Sequence, residues 1–133
     1  MSFPMPDVSA LSAPYWQALR DGMLVYQQCA GCASRWLPAR SACPSCLGTE
    51  LSWRTASGRG KVVSWVVYHV AYDDAFKDRL PYNVALVELE EGPRVLTNIV
   101  DSDAARRLRL DAPVTLRIEY EGDVALARFK LAD

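Results

Sequence analysis

Cys29-Ala30-Gly31-Cys32 and Cys43-Pro44-Ser45-Cys46 are two Cys-x-x-Cys motifs that contain all four cysteines of the chain, with ten residues between them. Two residues between cysteines let a tight turn direct both thiolates toward one cation, and a second such turn completes a tetrahedron. The intervening residues are enough for the chain to reverse direction and bring the second turn over the first. The spacing therefore predicts a closed, structural metal site with zinc as the expected ion. Its predicted ligands are Cys29, Cys32, Cys43 and Cys46.

The same cysteines have three other possible uses, which spacing alone does not eliminate. Iron fits the same cage, because tetrahedral sulfur suits zinc and iron alike. Disulfides belong to oxidising compartments, whereas the segment Met1–Asp7 lacks the basic and apolar regions of a secretory signal and predicts a cytoplasmic protein. Redox catalysis uses a Cys-x-x-Cys at the start of a helix in a βαβ unit, but both motifs here lie in a stretch rich in Gly, Pro and Ser.

A short helix is predicted before the first motif. Ser12 is placed to cap a helix that runs from Ala13 to Asp21. The apolar stripe of this helix consists of Tyr15, Trp16 and Leu19. Such a stripe requires a partner surface, either the core of this domain or another chain. Strands at Met23–Gln28 and Leu51–Arg54, which enter the first motif and leave the second, complete the predicted ribbon.

Beyond Ser57-Gly58-Arg59-Gly60 the composition changes to β-branched and aromatic residues, which favour strands. The predicted strands are Val62–Val70, Tyr82–Glu90, Arg94–Val100, Val114–Tyr120 and Val124–Lys130. Five strands in about 75 residues, the first long enough to serve two sheets, favour a small closed barrel of the OB type over a sandwich. The chain is therefore predicted to be mainly β, with an N-terminal helical segment (1–21), a zinc ribbon (22–52) and a five-stranded OB-fold domain (53–133).

The composition is that of one ordinary compact unit. Of 133 residues, 50% are hydrophobic and 23% are charged, with a formal net charge of −1, which is enough apolar material for a core. The uncharged stretches Gly22–Ser34 and Val62–Tyr72 are 13 and 11 residues long. Both are short of the roughly 20 residues that span a bilayer. Because the basic excess typical of nucleic-acid-binding proteins is also missing, we expect neither a membrane nor a nucleic acid as partner.

The sequence contains no recognisable catalytic motif. Its only histidine, His69, has no nucleophile motif nearby, and Gly58-Arg59-Gly60 lacks the strand and helix context of a dinucleotide fingerprint. Aromatic side chains could form a face that stacks nucleobases, although core packing explains them equally well. These aromatic residues are Trp53, Trp65, Tyr68 and Tyr72. Basic residues around the ribbon could bind an anionic group, although an ordinary solvated surface explains each of them as well. They are Arg35, Arg40, Arg54, Arg59 and Lys61.

Several longer stretches carry a resemblance to a known family. They are Tyr15-Trp16-Gln17-Ala18-Leu19-Arg20-Asp21-Gly22, Gln28-Cys29-Ala30-Gly31-Cys32, Pro38-Ala39-Arg40 before Cys43-Pro44-Ser45-Cys46, Ser57-Gly58-Arg59-Gly60-Lys61-Val62 before Ser64-Trp65, Pro81-Tyr82-Asn83-Val84-Ala85-Leu86-Val87-Glu88-Leu89, and Glu91-Gly92-Pro93-Arg94-Val95-Leu96-Thr97-Asn98. In these stretches the chain resembles, over nearly its whole length, the zinc-ribbon plus OB-fold proteins known as domain of unknown function 35, which are associated with acyl-CoA metabolism.

The resemblance implies an N-terminal helix, a rubredoxin-like zinc ribbon and an OB barrel that act together as a non-catalytic subunit. It implies a separate partner that performs the chemistry, either a thiolase-like enzyme (a thiolase, aldolase or acyltransferase) or a MaoC-like hydratase, in a hetero-oligomer. The small subunit would support this partner and help to hold or channel the acyl-CoA. The four cysteines take the metal-ligand role, and no catalytic residue transfers. A single-stranded nucleic-acid-binding OB module remains the alternative function.

Overall fold

The computed structural model describes residues 5–132 and divides their strands between two antiparallel sheets, β2-β1-β3 and β6-β5-β4-β7-β8. The elements in chain order are α1 (Ala13–Arg20), β1 (Val25–Cys29), β2 (Arg35–Trp36), β3 (Leu51–Thr55), β4 (Arg59–Tyr68), a 3-10 helix (Asp74–Arg79), β5 (Tyr82–Leu89), β6 (Arg94–Thr97), α2 (Ala104–Arg107), β7 (Pro113–Glu121) and β8 (Val124–Leu131). The first sheet is the ribbon that carries the cysteines. The second sheet is the barrel.

The five-stranded sheet closes on itself where the chain after β6 meets β8. Ile99 and Phe129 form a parallel bridge, and the amide of Val100 donates to the carbonyl oxygen of Phe129 over 2.9 Å. The buried hydroxyl of Thr97 adds a bond of 2.8 Å to the carbonyl oxygen of Ala127. A parallel closure of an otherwise antiparallel five-stranded sheet is OB topology. The predicted mainly β fold, with its helix, ribbon and barrel, is confirmed, and the sandwich is not formed.

Strand β5 shows why the barrel has one dry face and one exposed face. Ala85, Val87 and Leu89 point inward and are at most 2% exposed. The residues between them point outward, as the period of two along a strand requires. Gly60 of β4 lies opposite Leu89, and a Cβ atom there would lie only 2.7 Å from the carbonyl oxygen of Glu88. This close approach requires glycine.

Helix α1 supplies the predicted stripe to the barrel core. Leu19 is 1% exposed, and Tyr15 and Trp16 pack partly buried against the same core cluster. Of the two partner surfaces expected for the stripe, these residues therefore use the core of this domain. The capping prediction is wrong in detail: Ser12 occupies the N-cap position, but its hydroxyl accepts from the amide of Ser9 at 3.0 Å instead of from the helix.

The ribbon and the barrel are joined by polar contacts on both sides of the β3 to β4 connection. The amide of Ala56 donates to the carbonyl oxygen of Leu24 over 2.8 Å. Arg35 donates to the carbonyl oxygen of Glu91 over 3.1 Å, and a carboxylate oxygen of the same glutamate accepts from the amide of Ser57 at 2.7 Å. The turn between β5 and β6 is therefore bonded to the ribbon and to the connection.

The long loop predicted after β4 contains the 3-10 helix. An ion pair between Arg79 of this helix and Glu121, the last residue of β7, which we call the ionic clasp, ties the loop to the barrel. Arg79 donates from both Nη atoms to the two carboxylate oxygens of Glu121, over 2.7 and 2.9 Å. Arg128, whose side chain is 12% exposed, lies 3.0 Å from the same carboxylate. The bond from Arg79 is the main cause that lowers the pKa of Glu121 to about 2.

Within residues 5–132, no helix combines the length and the apolar character needed to cross a membrane.

The clasp predicts a specific acid dependence of stability. Because the pKa of Glu121 in the folded chain lies below its usual value of 4.5, the unfolded chain binds the proton more readily. The contribution is present above pH 4.5 and is lost as the pH falls toward 2. Glu121→Gln should therefore lower the free energy of unfolding at pH 7, by an amount that shrinks in acid.

Urea denaturation of both proteins at pH 7, 5, 4 and 3 measures this difference. Asp123→Asn, in the adjacent exposed turn, is the matched control and should follow the wild type at every pH. If Glu121→Gln lowers the free energy of unfolding by the same amount at all of these pH values, the predicted contribution of the clasp is wrong.

Candidate functional site

The two cysteine motifs fold into turns with the same backbone bonding. In the first, the amide of Cys29 donates to the carbonyl oxygen of Ser34, and the amide of Ala33 donates back to Cys29. In the second, Cys43 donates to Gly48 and Leu47 donates back to Cys43, at the same spacing. The motifs are therefore two copies of one local structure, which explains how each presents its pair of thiols to a common point.

The residue after each motif adopts a left-handed backbone. Ala33 and Leu47 both have φ of 64°, a region that favours glycine, and neither position is glycine in this chain. Left-handed backbone costs a residue with a Cβ roughly 1–2 kcal/mol. Leu47 is also 76% exposed, so no burial of its side chain offsets that cost. The turns are thus held by their bonds and by the site that they enclose.

The four predicted ligand atoms come together. All four Sγ atoms lie within 4.8 Å of one another, with 3.6 Å between those of Cys29 and Cys46 and 3.5 Å between those of Cys32 and Cys43. A tetrahedron of sulfurs at about 2.3 Å from a central ion has edges of about 3.8 Å. These pairs are too far apart for an S–S bond of about 2.05 Å. The donor set and its spacing therefore suit a tetrahedral metal ion.

The surroundings favour the thiolate form at some cysteines and oppose it at others. All four thiols can be deprotonated together only if a cation lies between them. Hydrogen bonding with Ser34, whose Oγ lies 3.2 Å from Sγ of Cys32, lowers the pKa of that thiol to about 6. The amide of Gly48 acts in the same direction on Cys46, but the neighbouring cysteines outweigh it and raise the pKa of that thiol to about 12. Four thiolates at this spacing repel one another unless a positive ion lies between them.

A buried glutamine holds the strands of the ribbon around the site. Gln27 is 3% exposed, and its side-chain oxygen accepts from the indole N–H of Trp36 at 2.8 Å and from the amide of Arg40 at 2.7 Å. Trp36 packs in turn against the buried cysteines Cys29 and Cys43. Gln27 therefore connects β1, β2 and the loop that leads to the second motif, a role that no motif in the sequence indicates.

A second feature is an apolar groove on the outer face of the barrel. One cavity of about 580 Å³ lies over β4, β5, β6 and β8 and extends to the loop after β4. A second cavity of about 530 Å³ lies beside it on the ribbon side. The two cavities share Tyr15, Trp16 and Leu96. Leu96 is 75% exposed between them.

Aromatic rings line one end of this groove. Tyr82 stacks on Tyr68 and on Phe76, with ring centroids 5.1 and 5.3 Å apart, and Tyr72 meets Tyr68 edge to face at 6.1 Å. Tyr72 is 83% exposed, so the stack continues to the surface. Rings arranged in this way can stack on a planar apolar group.

The structure brings together only half of the aromatic residues that the sequence singled out. Tyr68 and Tyr72 line the groove, whereas Trp65 packs against the barrel core and Trp53 lies on β3 of the ribbon. Sequence reasoning missed Phe76 and Tyr82. The alternation along β5 could have indicated that Tyr82 faces outward, but its pairing with Tyr68 depends on the strand register.

The basic residues that the sequence offered for anion binding do not form one site. Arg59 is paired with Glu90 at 2.7 Å, and Lys61 lies 3.7 Å from carboxylates of Glu88 and Asp111. Arg35 lies over the ring of Tyr26 and donates to the backbone. His69 follows the end of β4 and is exposed. Each of these groups thus has a separate environment.

Comparison with known proteins covers both parts of the chain. A family model described as ChsH2, rubredoxin-like zinc ribbon domain, matches residues 16–52, and one described as ChsH2, C-terminal OB-fold domain, matches residues 53–119. A DUF35 domain-containing scaffold protein of Methanocaldococcus jannaschii is 36% identical over 113 residues, which cover 81% of this chain and 79% of that protein.

A longer relative contains a matching segment. The probable enoyl-CoA hydratase alpha subunit of Thermomonospora curvata is 35% identical over 130 residues, or 97% of this chain. The chain spans only 40% of the length of that protein.

Two solved structures have the same fold. A chain of the Ltp2-ChsH2(DUF35) aldolase is 33% identical, with a TM-score of 0.86 over 97% of this chain and 100% of that one. A DUF35 protein of Sulfolobus solfataricus, 18% identical, has a TM-score of 0.64 over 89% of this chain and 82% of that one, which shows the shared fold. Since the matches include the ribbon, the barrel and a relative covered over most of its length, the chain belongs to the DUF35 family of ChsH2-type zinc-ribbon and OB-fold proteins.

Proposed function

We propose that this chain is a non-catalytic accessory subunit of an enzyme that processes acyl-CoA. The observation that carries the proposal is the likeness to a chain of the Ltp2-ChsH2(DUF35) aldolase, which this chain matches over 100% of that chain's length. The names of relatives agree with it, since they include scaffold proteins and a probable enoyl-CoA hydratase alpha subunit. A small barrel with an apolar groove is suited to bind beside a larger enzyme and contribute a surface to it.

The partner that we propose is a thiolase-like enzyme, with a MaoC-like hydratase as the second choice. The aldolase match supports the first, and the hydratase alpha subunit names support the second. In either assembly the accessory chain would support the fold of its partner and help to hold the acyl-CoA. The groove between α1 and the outer face of the barrel is the surface of this chain that best suits an acyl group, because aromatic and aliphatic side chains line it.

The metal site is proposed to hold one structural zinc ion through Cys29, Cys32, Cys43 and Cys46. The rubredoxin-like zinc ribbon match and the close set of four sulfurs support it, although iron uses the same cage. Four thiolates leave no open position for a substrate, so the ion would stabilise the ribbon and take no part in chemistry. The division into segments 1–21, 22–52 and 53–133 is likewise a proposal, with β3 crossing the second boundary.

Binding of single-stranded nucleic acid is the alternative function. The stack of Tyr68, Tyr82 and Phe76 on the outer face of an OB barrel favours it, because OB folds bind bases on such rings. The charge argues against it, since Arg128 beside the groove is bonded to Glu119 and Glu121. Titration with a fluorescent oligonucleotide at several salt concentrations tests it, and tight, salt-sensitive binding would favour the alternative.

The metal proposal predicts the outcome of removing one buried ligand. Cys43→Ala should reduce the metal content from about one ion per chain to nearly none, because three thiolates bind zinc much more weakly than four, and the ribbon should unfold with the loss. Elemental analysis and thermal melting measure the two effects. Ser41→Ala, an exposed change in the same loop, should alter neither. A Cys43→Ala protein with an unchanged melting curve would refute the proposal that the metal ion stabilises the ribbon.

The accessory role predicts a stable complex. Co-expression of the chain with a thiolase encoded beside it, or with a MaoC-like hydratase, should yield co-elution in size-exclusion chromatography and higher acyl-CoA turnover than either protein alone. The Cys43→Ala variant should fail to co-elute, because its ribbon is unfolded, while Ser41→Ala should behave as the wild type. The proposal fails if the chain elutes alone beside a fully active enzyme, or if the isolated chain itself turns over acyl-CoA.

A further inference from the structure

The apolar groove continues at its aromatic end into a polar cavity of about 350 Å³. Phe76, Tyr82, Asn98 and Arg128 line both the groove and this cavity, so two rings of the stack lie where the two spaces meet. We call the place bounded by these four residues the junction. Beyond it the lining includes amide, carboxylate and hydroxyl side chains. A ligand that lies in the groove therefore directs one end toward polar groups.

Asn98 is held at the junction in one orientation. Its side-chain Nδ2 donates to the carbonyl oxygen of Asn83. Asn83 is fixed in turn, because its side-chain oxygen accepts from the amide of Ile99 at 2.8 Å and its Nδ2 donates to the carbonyl oxygen of the same residue over 2.9 Å. These bonds join β5 to the chain after β6, just beyond the paired residues Ala85 and Thr97. The direction of the Asn98 amide is thus set before any ligand binds.

The amide of Asn98 keeps hydrogen-bonding capacity for a ligand. Within residues 5–132, no group donates to its side-chain oxygen, Oδ1, and its Nδ2 makes one bond. An amide oxygen can accept two hydrogen bonds and an amide nitrogen can donate two. Oδ1 is therefore available to a donor, and one N–H remains for an acceptor. A hydroxyl is the smallest neutral group that can both donate and accept.

The charged groups at the junction favour a neutral ligand end. Arg128 is bonded to Glu119 at 2.9 Å and lies 3.0 Å from Glu121, which also accepts from Arg79. Two arginines thus face two glutamates, and their charges balance. Asp73 lines the groove as well, but it is exposed to solvent and its carboxylate accepts from the backbone of its own loop. An ionic end would be buried here without a counter-charge, which is unfavourable.

We propose that the groove holds an acyl group with a ring that carries a hydroxyl, and that Asn98 recognises this hydroxyl at the junction. The inference rests on the proposed function and names the class of acyl group that the accessory chain holds. The ring of the ligand contacts the aromatic side chains of the groove, for which edge-to-face and offset contacts are favourable. Asn98 is then a specificity-determining residue, because a ring without the hydroxyl leaves its Oδ1 without a partner.

Three CoA thioesters that differ in one substituent test this recognition on the metal-loaded full chain by calorimetric titration. They are 4-hydroxyphenylacetyl-CoA, 4-methoxyphenylacetyl-CoA, which keeps the oxygen and lacks its hydrogen, and phenylacetyl-CoA. The hydroxyl ester should bind about three- to tenfold more tightly than the other two, the range that corresponds to one hydrogen bond. Ratios within one protein cancel any general loss of affinity or stability.

Three variants separate recognition from structural support. Asn98→Leu should lose the preference for the hydroxyl ester, because it has no acceptor. Asn98→Asp loses the bond to Asn83 but keeps an acceptor oxygen, so it should retain the preference; a purely structural role of Asn98 predicts that both variants lose it. Leu96→Ala, in the same groove, should weaken all three esters and leave their ratios unchanged.

The outcomes distinguish this inference from the accessory role. Equal affinity for the three esters, or binding of none of them, overturns the inference, and a chain that still co-elutes with its enzyme leaves the accessory role intact. A preference that persists in Asn98→Leu also overturns it. A chain that shows the predicted ratios but binds no enzyme overturns the accessory role and leaves the recognition by Asn98 standing.

Discussion

The close approach of four cysteine sulfurs is the constraint on which the ribbon depends. These atoms lie within 4.8 Å of one another, a spacing that a central cation makes favourable and that is unfavourable without one. The buried cluster of the ribbon contains Cys29, Trp36 and Cys43, with Leu51 packed against it. Two of its three buried members are themselves cysteines of the site. The hydrophobic core of the ribbon and its four-cysteine cluster are therefore the same structure.

This dependence extends beyond the ribbon because the ribbon is bonded to the barrel. Gln27 ties the strands of the ribbon together through its hydrogen bond with Trp36. The adjacent residue, Arg35, donates to the carbonyl oxygen of Glu91 in the turn between β5 and β6. That turn precedes β6, which closes the barrel next to β8. A loosened ribbon would thus remove contacts from the strand that also borders the apolar groove. An ion held by the four cysteines would therefore affect the groove only indirectly, through these contacts.

The parts that could be predicted from the sequence are those set by local pattern. The cysteine spacing predicted the sulfur cluster because each motif is a self-contained turn. The β-branched and aromatic composition predicted the strands of the barrel. The left-handed backbone of Ala33 and Leu47 was not predictable, because the residue type argues against it. Nor was the stack of Tyr82 on Tyr68, which requires the strand register.

The ionic clasp could not be predicted either, because its members, Arg79 and Glu121, are 42 residues apart in the sequence. No local pattern encodes such a pair. The failed cap at Ser12 illustrates the opposite case, in which a correct local signal is overridden, since the nearby Ser9 competes for the same hydroxyl. Local rules therefore predicted the elements and the sulfur cluster, whereas the contacts that join distant elements had to come from the structure.

The pattern of charge on the barrel fits recognition of apolar surfaces better than recognition of a polyanion. The basic groups near the outer face are engaged by carboxylates of the same chain: Arg79 by Glu121, Arg128 by Glu119 and Glu121, and Arg94 by Glu88 at 3.2 Å. Each pair holds two strands or a loop in position and at the same time cancels the charge that a phosphate backbone would require. What these pairs leave between them is the groove, which is lined mostly by aromatic and aliphatic side chains. Such a surface gains free energy by excluding water from apolar groups. That gain requires a protein or an apolar ligand as the partner, so the same ion pairs that stabilise the barrel also restrict what can bind to it.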